Sequence, residues 1–258
     1  LARLPDYAHA VSAVPWLANL RDTLPGAAAL SEKWLGVSAQ RSLPKWRRDT
    51  FWRAIKPGDF ATAEQTLAAA KTNGKAVVLF VDTFNGTFES ENALAAAQVL
   101  RAAGYTLHHV AKDGGHHCCG RTYLAGGMVN AAKARLGVLI DALLPLAQGG
   151  VAIVGLEPSC LLTLRDEALV LGLGEKAHSV ARQALLFEEF VAREARAGRF
   201  TAQFKPAEQP ILVHGHCHQK AFGAMVAVET SLRLVEGLKV ETVESSCCGM
   251  AGAFGYQA

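Results

Sequence analysis

The sequence lacks the features that would place it at once in a membrane, secretory or nucleotide-binding class. No apolar run reaches the roughly 18 residues that a membrane-spanning helix needs, and the first residues do not have the basic-then-apolar layout of a signal peptide. No Gly-x-Gly-x-x-Gly fingerprint of a nucleotide site occurs. The net charge of +3 is spread over all 258 residues, so it gives no reason to expect nucleic acid as a partner. What remains is a chain that is 50% hydrophobic and 19% charged, a composition typical of a globular protein with a sizeable core.

Cysteine is also scarce, but its arrangement is informative. Six cysteines in 258 residues are too few for the disulfide framework of a secreted domain. Four of them form two adjacent pairs, Cys118-Cys119 and Cys247-Cys248, and a glycine follows each pair. Neighbouring cysteines rarely bridge each other, because the small ring would strain the peptide bond between them. The pattern therefore predicts a cytoplasmic protein whose thiolates hold a metal or carry out redox chemistry.

Residues 1–74 differ in composition from the rest of the chain. They contain five of the nine prolines and all four tryptophans, which predicts short helical stretches interrupted by proline, the most regular being 61–71. We expect a mostly helical connector that packs on the main domain. Because the sequence starts at Leu1 rather than at a methionine, and ends shortly after a cysteine motif, we also expect it to be part of a longer polypeptide.

From residue 75 onward, apolar runs with β-branched residues alternate with longer amphipathic stretches. The apolar runs predict strands at 76–81, 106–110, 151–155, 211–214 and 240–243. The amphipathic stretches predict helices at 90–103, 126–146, 177–197 and 219–235. Strands separated by helices of this length are typical of βαβ crossovers. The predicted fold class is therefore α/β, with parallel strands covered by helices.

The two cysteine pairs occupy equivalent places in an internal repeat. In each half an apolar strand leads into a polar motif, Asp82-Thr83-Phe84 in the first and Gly215-His216-Cys217 in the second. A helix, a strand and a Cys-Cys-Gly turn then follow in both halves. Such a repeat predicts two pseudo-duplicated, Rossmann-like βαβ halves. We therefore divide the chain into the connector at 1–74, a first half at 75–200 and a second half at 201–258, which we expect to be truncated.

The motif cysteines follow predicted strands, which indicates two metal sites. In an open parallel sheet, ligands bind at the carboxyl ends of the strands. The first expected site gathers Cys118, Cys119 and Cys160, and the second gathers Cys217, Cys247 and Cys248. The glycine after each pair allows a tight turn, and backbone N–H groups at the following helix start would stabilise thiolate charge. Thiolates select zinc, copper(I) or iron–sulfur clusters over hard ions.

Histidines stand beside both cysteine sets. His214, His216 and His218 surround Cys217. Alternating residues of an extended segment share a face, so we expect the three histidines on one side and Cys217 on the other. A supporting hydrogen bond near the metal is the favoured role for them, although one could be a ligand. His117, with its neighbour His116, is expected to play the same part at the first site.

Three longer phrases carry a family resemblance: Gly-Leu-Glu-Pro-Ser-Cys at 155–160, His-Gly-His-Cys-His-Gln-Lys-Ala at 214–221, and Ser-Cys-Cys-Gly-Met-Ala-Gly-Ala-Phe-Gly-Tyr at 246–256. They resemble the cysteine-rich (CCG) domain family. That family includes the CCG-containing component of heterodisulfide reductase and the iron–sulfur components of glycolate oxidase, anaerobic glycerol-3-phosphate dehydrogenase and lactate-utilisation complexes. The chain looks most similar to the C-terminal part of fused FAD/iron–sulfur D-2-hydroxyacid dehydrogenases, of the D-lactate and D-2-hydroxyglutarate types. The resemblance covers about residues 75–258.

This resemblance implies an electron-transfer module of an FAD-linked oxidoreductase that oxidises a D-2-hydroxyacid, with an iron–sulfur cluster of the 4Fe-4S type. It implies upstream flavin and ferredoxin-like domains of the same polypeptide as partners, with FAD bound there and not in this chain. A quinone or a redox protein would accept the electrons. The implied location is cytoplasmic, either free or peripheral at the inner face of the membrane. We therefore expect no dehydrogenase turnover from this chain alone.

The chain departs from the family's motif, which has an early cysteine, a cysteine pair and then Cys-x-x-Cys. In the first half Asp82 stands at the early position and Thr163 at the last, so three thiolates remain unless Asp82 or a histidine joins them. Asp82 is more simply a carboxylate that caps the helix after a strand. The second half retains Cys217, Cys247 and Cys248, and its late cysteine would lie beyond the sequence. We expect the second site to be the better metal site, in the intact protein.

Two other functions fit the same residues. A zinc-binding structural or docking module without a redox role would use three cysteines and one histidine in a closed tetrahedral site. A thiol redox protein would form reversible disulfides between the pairs and Cys160 or Cys217. Iron with sulfide, zinc alone, or metal-free titratable thiols in anaerobically purified protein would distinguish the three functions.

Overall fold

The structure is a computed structural model that describes residues 2–112, 115–246, 248–250 and 252–258. Its helices are α1 (Leu4–Val11), α2 (Pro15–Thr23), α3 (Ala27–Leu35), α4 (Phe51–Ala54), α5 (Ala63–Asn73), α6 (Thr83–Thr87), α7 (Ser90–Ala102), α8 (Arg121–Ala125), α9 (Val129–Gln148), α10 (Pro158–Thr163), α11 (Glu167–Val170), α12 (Glu175–Gln183), α13 (Phe187–Arg196), α14 (Cys217–Ala221) and α15 (Met225–Leu232). Its strands are β1 (Ala76–Phe80), β2 (Thr106–His108), β3 (Ala111–Lys112), β4 (Gly115–His116), β5 (Ala152–Gly155), β6 (Ala184–Leu186), β7 (Ile211–Val213) and β8 (Val240–Thr242). None of the helices in the described ranges is long and apolar enough to cross a membrane.

The segment before residue 75 forms α1 to α5 and is mostly helical, as predicted. Proline starts helices here as well as separating them: Pro5 lies in the first turn of α1, and Pro15 begins α2. At these positions the missing N–H has no helical partner to lose. The carboxylate of Asp6 in α1 accepts hydrogen bonds from Tyr123 and Arg135. These contacts fix the segment on the main domain.

The main sheet has the order β2-β1-β5-β6, and all of its strands run parallel. Because successive side chains of a strand point to opposite faces, the buried strand β1 serves two cores. Val78 and Phe80 pack in the core under α9, whereas Val77 and Leu79 pack in the core under α7. Helices therefore cover both faces, which confirms the predicted α/β fold with parallel strands.

The strand β6 was not predicted from the sequence. The amphipathic stretch at 177–197 predicts one helix, but the structure has α12 and α13 with β6 between them. The residues of β6 are Ala184, Leu185 and Leu186, which favour helix in isolation. Here they pair with β5 at the edge of the sheet, so tertiary pairing overrides the local propensity.

The second half contains a separate parallel pair, β7 and β8. The helices α14 and α15 connect the two strands, in place of the single helix predicted at 219–235. The order β7-α14-α15-β8 repeats the order β1-α6-α7-β2 of the first half. This shared order confirms the predicted pseudo-duplicated βαβ arrangement.

Candidate metal centre

The first cysteine set lies beyond the carboxyl ends of β2 and β5. Cys118 and Cys119 follow the hairpin β3–β4, and Cys160 lies in the first turn of α10, after β5. The thiol of Cys118 is hydrogen-bonded with Cys119, which in turn is hydrogen-bonded with Cys160. The fold thus brings together three sulfurs from two separate loops, as the sequence predicted.

The glycine of each Cys-Cys-Gly turn has the same left-handed backbone. The φ angle is +82° at Gly120 and +80° at Gly249, a region that favours glycine. A Cβ atom on Gly120 would also lie 2.7 Å from a backbone oxygen of α9. As predicted, backbone donors approach the sulfurs: Gly120 N–H donates to Cys118 Sγ at 3.2 Å, and Arg121 N–H to Cys119 Sγ at 3.5 Å.

Burial determines the protonation of the first cysteine set. Cys118, Cys119 and Cys160 expose 7%, 3% and 3% of their surface. The hydrogen bond with Cys119, and then burial, raise the pKa of the Cys118 thiol. The hydrogen bond with Cys118 lowers the pKa of Cys119, but the bond with Cys160 and burial raise it more. The hydrogen bond with Cys119 lowers the pKa of Cys160, but burial and nearby acidic groups raise it to about 12. Without a metal, these thiols are protonated at neutral pH.

Asp82 and Thr163, which replace cysteines of the family motif, already have partners. Asp82 Oδ1 accepts hydrogen bonds from the backbone N–H of Phe84 at 2.8 Å and of Asn85 at 3.2 Å. Its Oδ2 accepts from Asn85 Nδ2 at 2.7 Å, and burial raises its pKa to about 6. Thr163 Oγ1 donates to the carbonyl oxygen of Ser159 at 2.7 Å. The capping interpretation of Asp82 is therefore confirmed, and both of its oxygens are in use.

The second cysteine set begins at the first residue of α14, which is Cys217. His216 caps this helix, because its Nδ1 accepts a hydrogen bond from the His218 backbone N–H at 3.1 Å. Cys217 Sγ lies 3.9 Å from His216 Nδ1 and 3.8 Å from His218 Nδ1. The prediction that Cys217 faces away from these histidines is therefore wrong for His216 and His218. The extended backbone ends at His216, so the alternation of faces stops there.

Cys248 shares a cavity with Cys217, and both side chains are exposed. The volume of the cavity is about 260 Å³. Its lining residues are Leu156, Pro158, His214, Gly215, His216, Cys217, Gln219 and Cys248. Leu156 and Pro158 belong to the first half, so one wall comes from the segment just before Cys160. Cys247 lies outside the described residues, and its place in the site stays a prediction.

Lys220 holds the loop that carries the second cysteine pair. Its Nζ donates to the carbonyl oxygen of Ser245 at 2.5 Å and to that of Ser246 at 3.1 Å. Lys220 and Cys217 belong to the same short helix, α14. This contact therefore ties the loop before Cys248 to the helix of Cys217, a role that the sequence did not indicate.

Arg121, which directly follows the first Cys-Cys-Gly turn, reaches the second half. Its Nη1 pairs with Glu167, and its Nη2 lies 3.1 Å from His218 Nε2. Burial, and then the charge of Arg121, lower the pKa of His218. His216 Nε2 lies 4.0 Å from Glu157 Oε1. Arg121 and His218 are 97 positions apart, and no local pattern links them, so the sequence could not reveal this contact.

The histidines beside the first turn are partly buried. His116 Nε2 lies 2.7 Å from Thr83 Oγ1, and the His116 ring stacks on Trp52 with 5.4 Å between centroids. Burial lowers the pKa of His116 to about 4, so this ring is neutral at pH 7. His116 therefore links the turn to the N-terminal segment. The supporting role of His117 at the first site stays a prediction.

The donor atoms of the second set fit a metal group better than those of the first. Thiolate sulfur and imidazole nitrogen are ligands that zinc, copper(I) and iron–sulfur clusters prefer. The ligand atoms of His216, Cys217 and His218 lie within 4.8 Å of one another, and Cys248 opens onto the same cavity. The first set has three convergent sulfurs, but core side chains enclose two of them, and Asp82 is already hydrogen-bonded.

Comparison with known proteins points to an oxidoreductase. Two curated relatives belong to the anaerobic glycerol-3-phosphate dehydrogenase of Escherichia coli, one from strain K12 and one from strain O157:H7, and each is the third of that enzyme's lettered components. Each is 25% identical over 247 residues, which are 93% of this chain and 58% of the relative. This chain is a distant relative of a dehydrogenase component. It spans a little more than half the length of those relatives. No family model and no solved structure matches it.

Proposed function

We propose that this chain is the iron–sulfur electron-transfer module of a flavin-linked dehydrogenase, with its metal group held by the second half. The observation that supports this most directly is that Cys217 and Cys248, which come from two different strand ends, line one cavity. Cys247, adjacent to Cys248, would add a third thiolate. The similarity to a dehydrogenase component favours an oxidoreductase over a purely structural role.

The chain's own residues supply the surroundings that such a group needs. When bound, an iron–sulfur cluster supplies single-electron steps between a flavin and an acceptor. Lys220 fixes the loop before Cys248, and Leu156 with Pro158 shields one side of the cavity from water. Arg121 lies one residue away from the sulfur group through His218. A positive charge there lowers the cost of gathering negatively charged thiolates.

The first cysteine set remains a proposed second metal site. Its three sulfurs are close enough to bind one ion, but they are protonated and packed against one another in the metal-free protein. Binding would require three deprotonations in a buried place. We therefore propose that Cys118, Cys119 and Cys160 contribute less metal binding than Cys217 and Cys248.

We propose that the substrate is an anionic secondary alcohol, oxidised on a flavin outside this chain. The motifs at 155–160, 214–221 and 246–256 resemble D-2-hydroxyacid dehydrogenases, whereas the relatives are named for glycerol 3-phosphate. Both substrates carry a secondary hydroxyl group near an anionic group, and both give a ketone and two electrons on oxidation. The proposed partners are flavin and ferredoxin-like domains and a quinone or redox-protein acceptor, on the cytoplasmic side.

A zinc-binding structural or docking module is the second candidate. The observation that favours it is the mixed cluster of His216, Cys217 and His218, whose ligand atoms lie within 4.8 Å of one another. Two cysteines with one or two histidines make a closed, redox-silent zinc site. In this case the site would stabilise the second half and carry no electrons.

Metal analysis of the intact, anaerobically purified protein separates these candidates. We expect iron and acid-labile sulfide, and a visible absorption that bleaches when a D-2-hydroxyacid or glycerol 3-phosphate is added with the flavin domain present. Zinc alone, without bleaching, would replace the proposal by the second candidate. Metal-free protein with titratable thiols would contradict both candidates and favour thiol redox chemistry.

A further inference from the structure

Four polar side chains form a continuous chain of contacts from the first half to Cys217. The carboxylate of Glu167 pairs with Arg121 Nη1, and Arg121 Nη2 lies 3.1 Å from His218 Nε2. His218 Nδ1, on the other side of the ring, lies 3.8 Å from Cys217 Sγ. The imidazole of His218 therefore stands between a guanidinium group and a sulfur atom.

The guanidinium group decides which nitrogen of His218 carries the proton. Arginine has five N–H donors and no acceptor. In its hydrogen bond with Arg121, His218 Nε2 must therefore be the unprotonated acceptor. A neutral imidazole has one N–H, so the proton of His218 is on Nδ1. That N–H is directed at Cys217 Sγ, and it has no lone pair to offer a metal.

The hydrogen bonds of His216 also occupy its Nδ1. This nitrogen accepts the backbone N–H of His218 at 3.1 Å, so the proton of neutral His216 is on Nε2. The Nε2 atom faces Glu157 Oε1 at 4.0 Å. The stacking of the two rings, with 5.3 Å between their centroids, keeps both imidazoles in this arrangement. Neither Nδ1 atom near Cys217 is then available as a metal ligand.

We infer that Arg121 is a positioning residue: it holds His218 in the Nδ1–H form, so that His218 donates a hydrogen bond to Cys217 Sγ. This inference deepens the proposed function, on which the metal-binding role of Cys217 rests. The residue after the Cys-Cys-Gly turn of the first half thus supports the cysteine of the second half. It also makes sulfur, and not His216 or His218, the ligand at this place. N–H donors to ligand sulfurs tune the reduction potential of iron–sulfur sites.

The test is the protonation state of His218, read by ¹⁵N NMR of ¹⁵N-histidine-labelled, metal-free chain. A His218→Gln variant assigns the His218 signals among those of the nine histidines. We expect a protonated Nδ1 and an unprotonated Nε2 in the wild type. The variant R121L should lose this pattern and shift toward the Nε2–H form that free histidine prefers, whereas R121K, which keeps a donor, should retain it.

Arg165 offers a matched control. It pairs with Glu189 at 2.6 Å, and its side chain is 26% exposed against 28% for Arg121. Its guanidinium also lies over the ring of Phe222, so its contacts differ in kind from those of Arg121. The variant R165L should leave the His218 signals unchanged. A wild-type His218 with its proton on Nε2, or a pattern that is unchanged in R121L, would overturn the inference. The wild-type spectrum decides even if R121L does not fold.

The reconstituted protein separates this inference from the proposed function. If the cluster binds, its midpoint potential should be lower in R121L than in the wild type and restored toward it in R121K, because a donor to sulfur stabilises the reduced form. Equal potentials in the three proteins would contradict the inference while leaving the proposed function intact. Absence of iron, together with an Nδ1–H wild-type spectrum, would defeat the proposed function alone.

Discussion

The first and second cysteine sites share a backbone plan but differ in access to solvent. Both follow a β-α-β unit, and both have a left-handed glycine after the cysteine pair. The sulfurs of the first site are buried, whereas Cys217 and Cys248 are exposed and line a cavity. The difference teaches that one duplicated frame can hold thiols either as part of a core or as an open ligand set.

The residue after the first strand of each half explains much of this difference. In the first half it is Asp82, which caps α6 and is 2% exposed. In the second half it is the exposed Cys217, and the capping role passes to His216. A motif position thus serves helix capping in one half and offers a thiol in the other. The predictions below would break or sharpen this contrast.

The largest expected effect is on thiol reactivity. In folded, metal-free chain, Cys217 and Cys248 should react with iodoacetamide at least about a thousandfold faster than Cys118, Cys119 and Cys160, because buried thiols need an opening of the core. Peptide mass spectrometry after timed labelling measures the rates. Urea-unfolded chain, in which all cysteines should react alike, is the control. Similar rates in the folded chain would remove the contrast between the sites.

Asp82 should make stability depend on pH in the first half. Burial raises its pKa to about 6, above the roughly 3.9 of an unfolded chain. The folded state therefore binds this proton more tightly, and stability should fall by up to about 3 kcal/mol as pH rises from about 4 to about 6, then stay level. Asp82→Asn should lose this fall, since Asn also caps helices. Urea unfolding at a series of pH values measures it, and parallel curves for both proteins would contradict the prediction.

Replacing one sulfur in each site should have unequal effects on the fold. Cys160→Ser puts a hydroxyl group into the core and should lower the free energy of unfolding by about 2 kcal/mol. Cys217→Ser is the matched control and should change it by less than about 0.5 kcal/mol in the metal-free chain, because the site is exposed. Equal losses in urea denaturation would show that the second site is also part of a core.

The smallest expected effect concerns the loop that carries Cys248. Lys220→Met removes the contacts with Ser245 and Ser246, so the reconstituted protein should lose metal to a chelator about tenfold faster, in line with other supporting contacts of metal sites. Lys176 pairs with Asp141 at 2.7 Å in the first half, and Lys176→Met is the control. An unchanged rate in Lys220→Met would mean that the loop holds its place without Lys220.

The sequence predicts the frame well because the frame depends on local patterns. The strands at 76–81 and 151–155 are apolar and rich in β-branched residues, and they form β1 and β5 as expected. The strand β6 was missed because its Ala and Leu residues favour helix, and only pairing with β5 makes them a strand. Pairing across the sheet is a tertiary effect that a single stretch of sequence does not contain.

The candidate site was predicted in its cysteines but not in its contacts. The Cys-Cys-Gly turns and the strand ends indicated which sulfurs would meet. The facing of the histidines was wrong, because the helix starts at Cys217 and ends the alternation. The contact of Arg121 with His218 depends on how the two halves pack. Such contacts require the tertiary arrangement and are invisible to spacing rules.

The central claim is that the open sulfurs of the second half hold the metal group, and one measurement tests it directly. Iron, zinc and sulfide per chain should be determined in the intact, anaerobically purified protein and in its variants Cys248→Ser and Cys118→Ser. Our account predicts that Cys248→Ser loses the metal of this site and that Cys118→Ser retains it. Full metal content in Cys248→Ser, with loss in Cys118→Ser, would contradict the account and assign the metal to the buried first set.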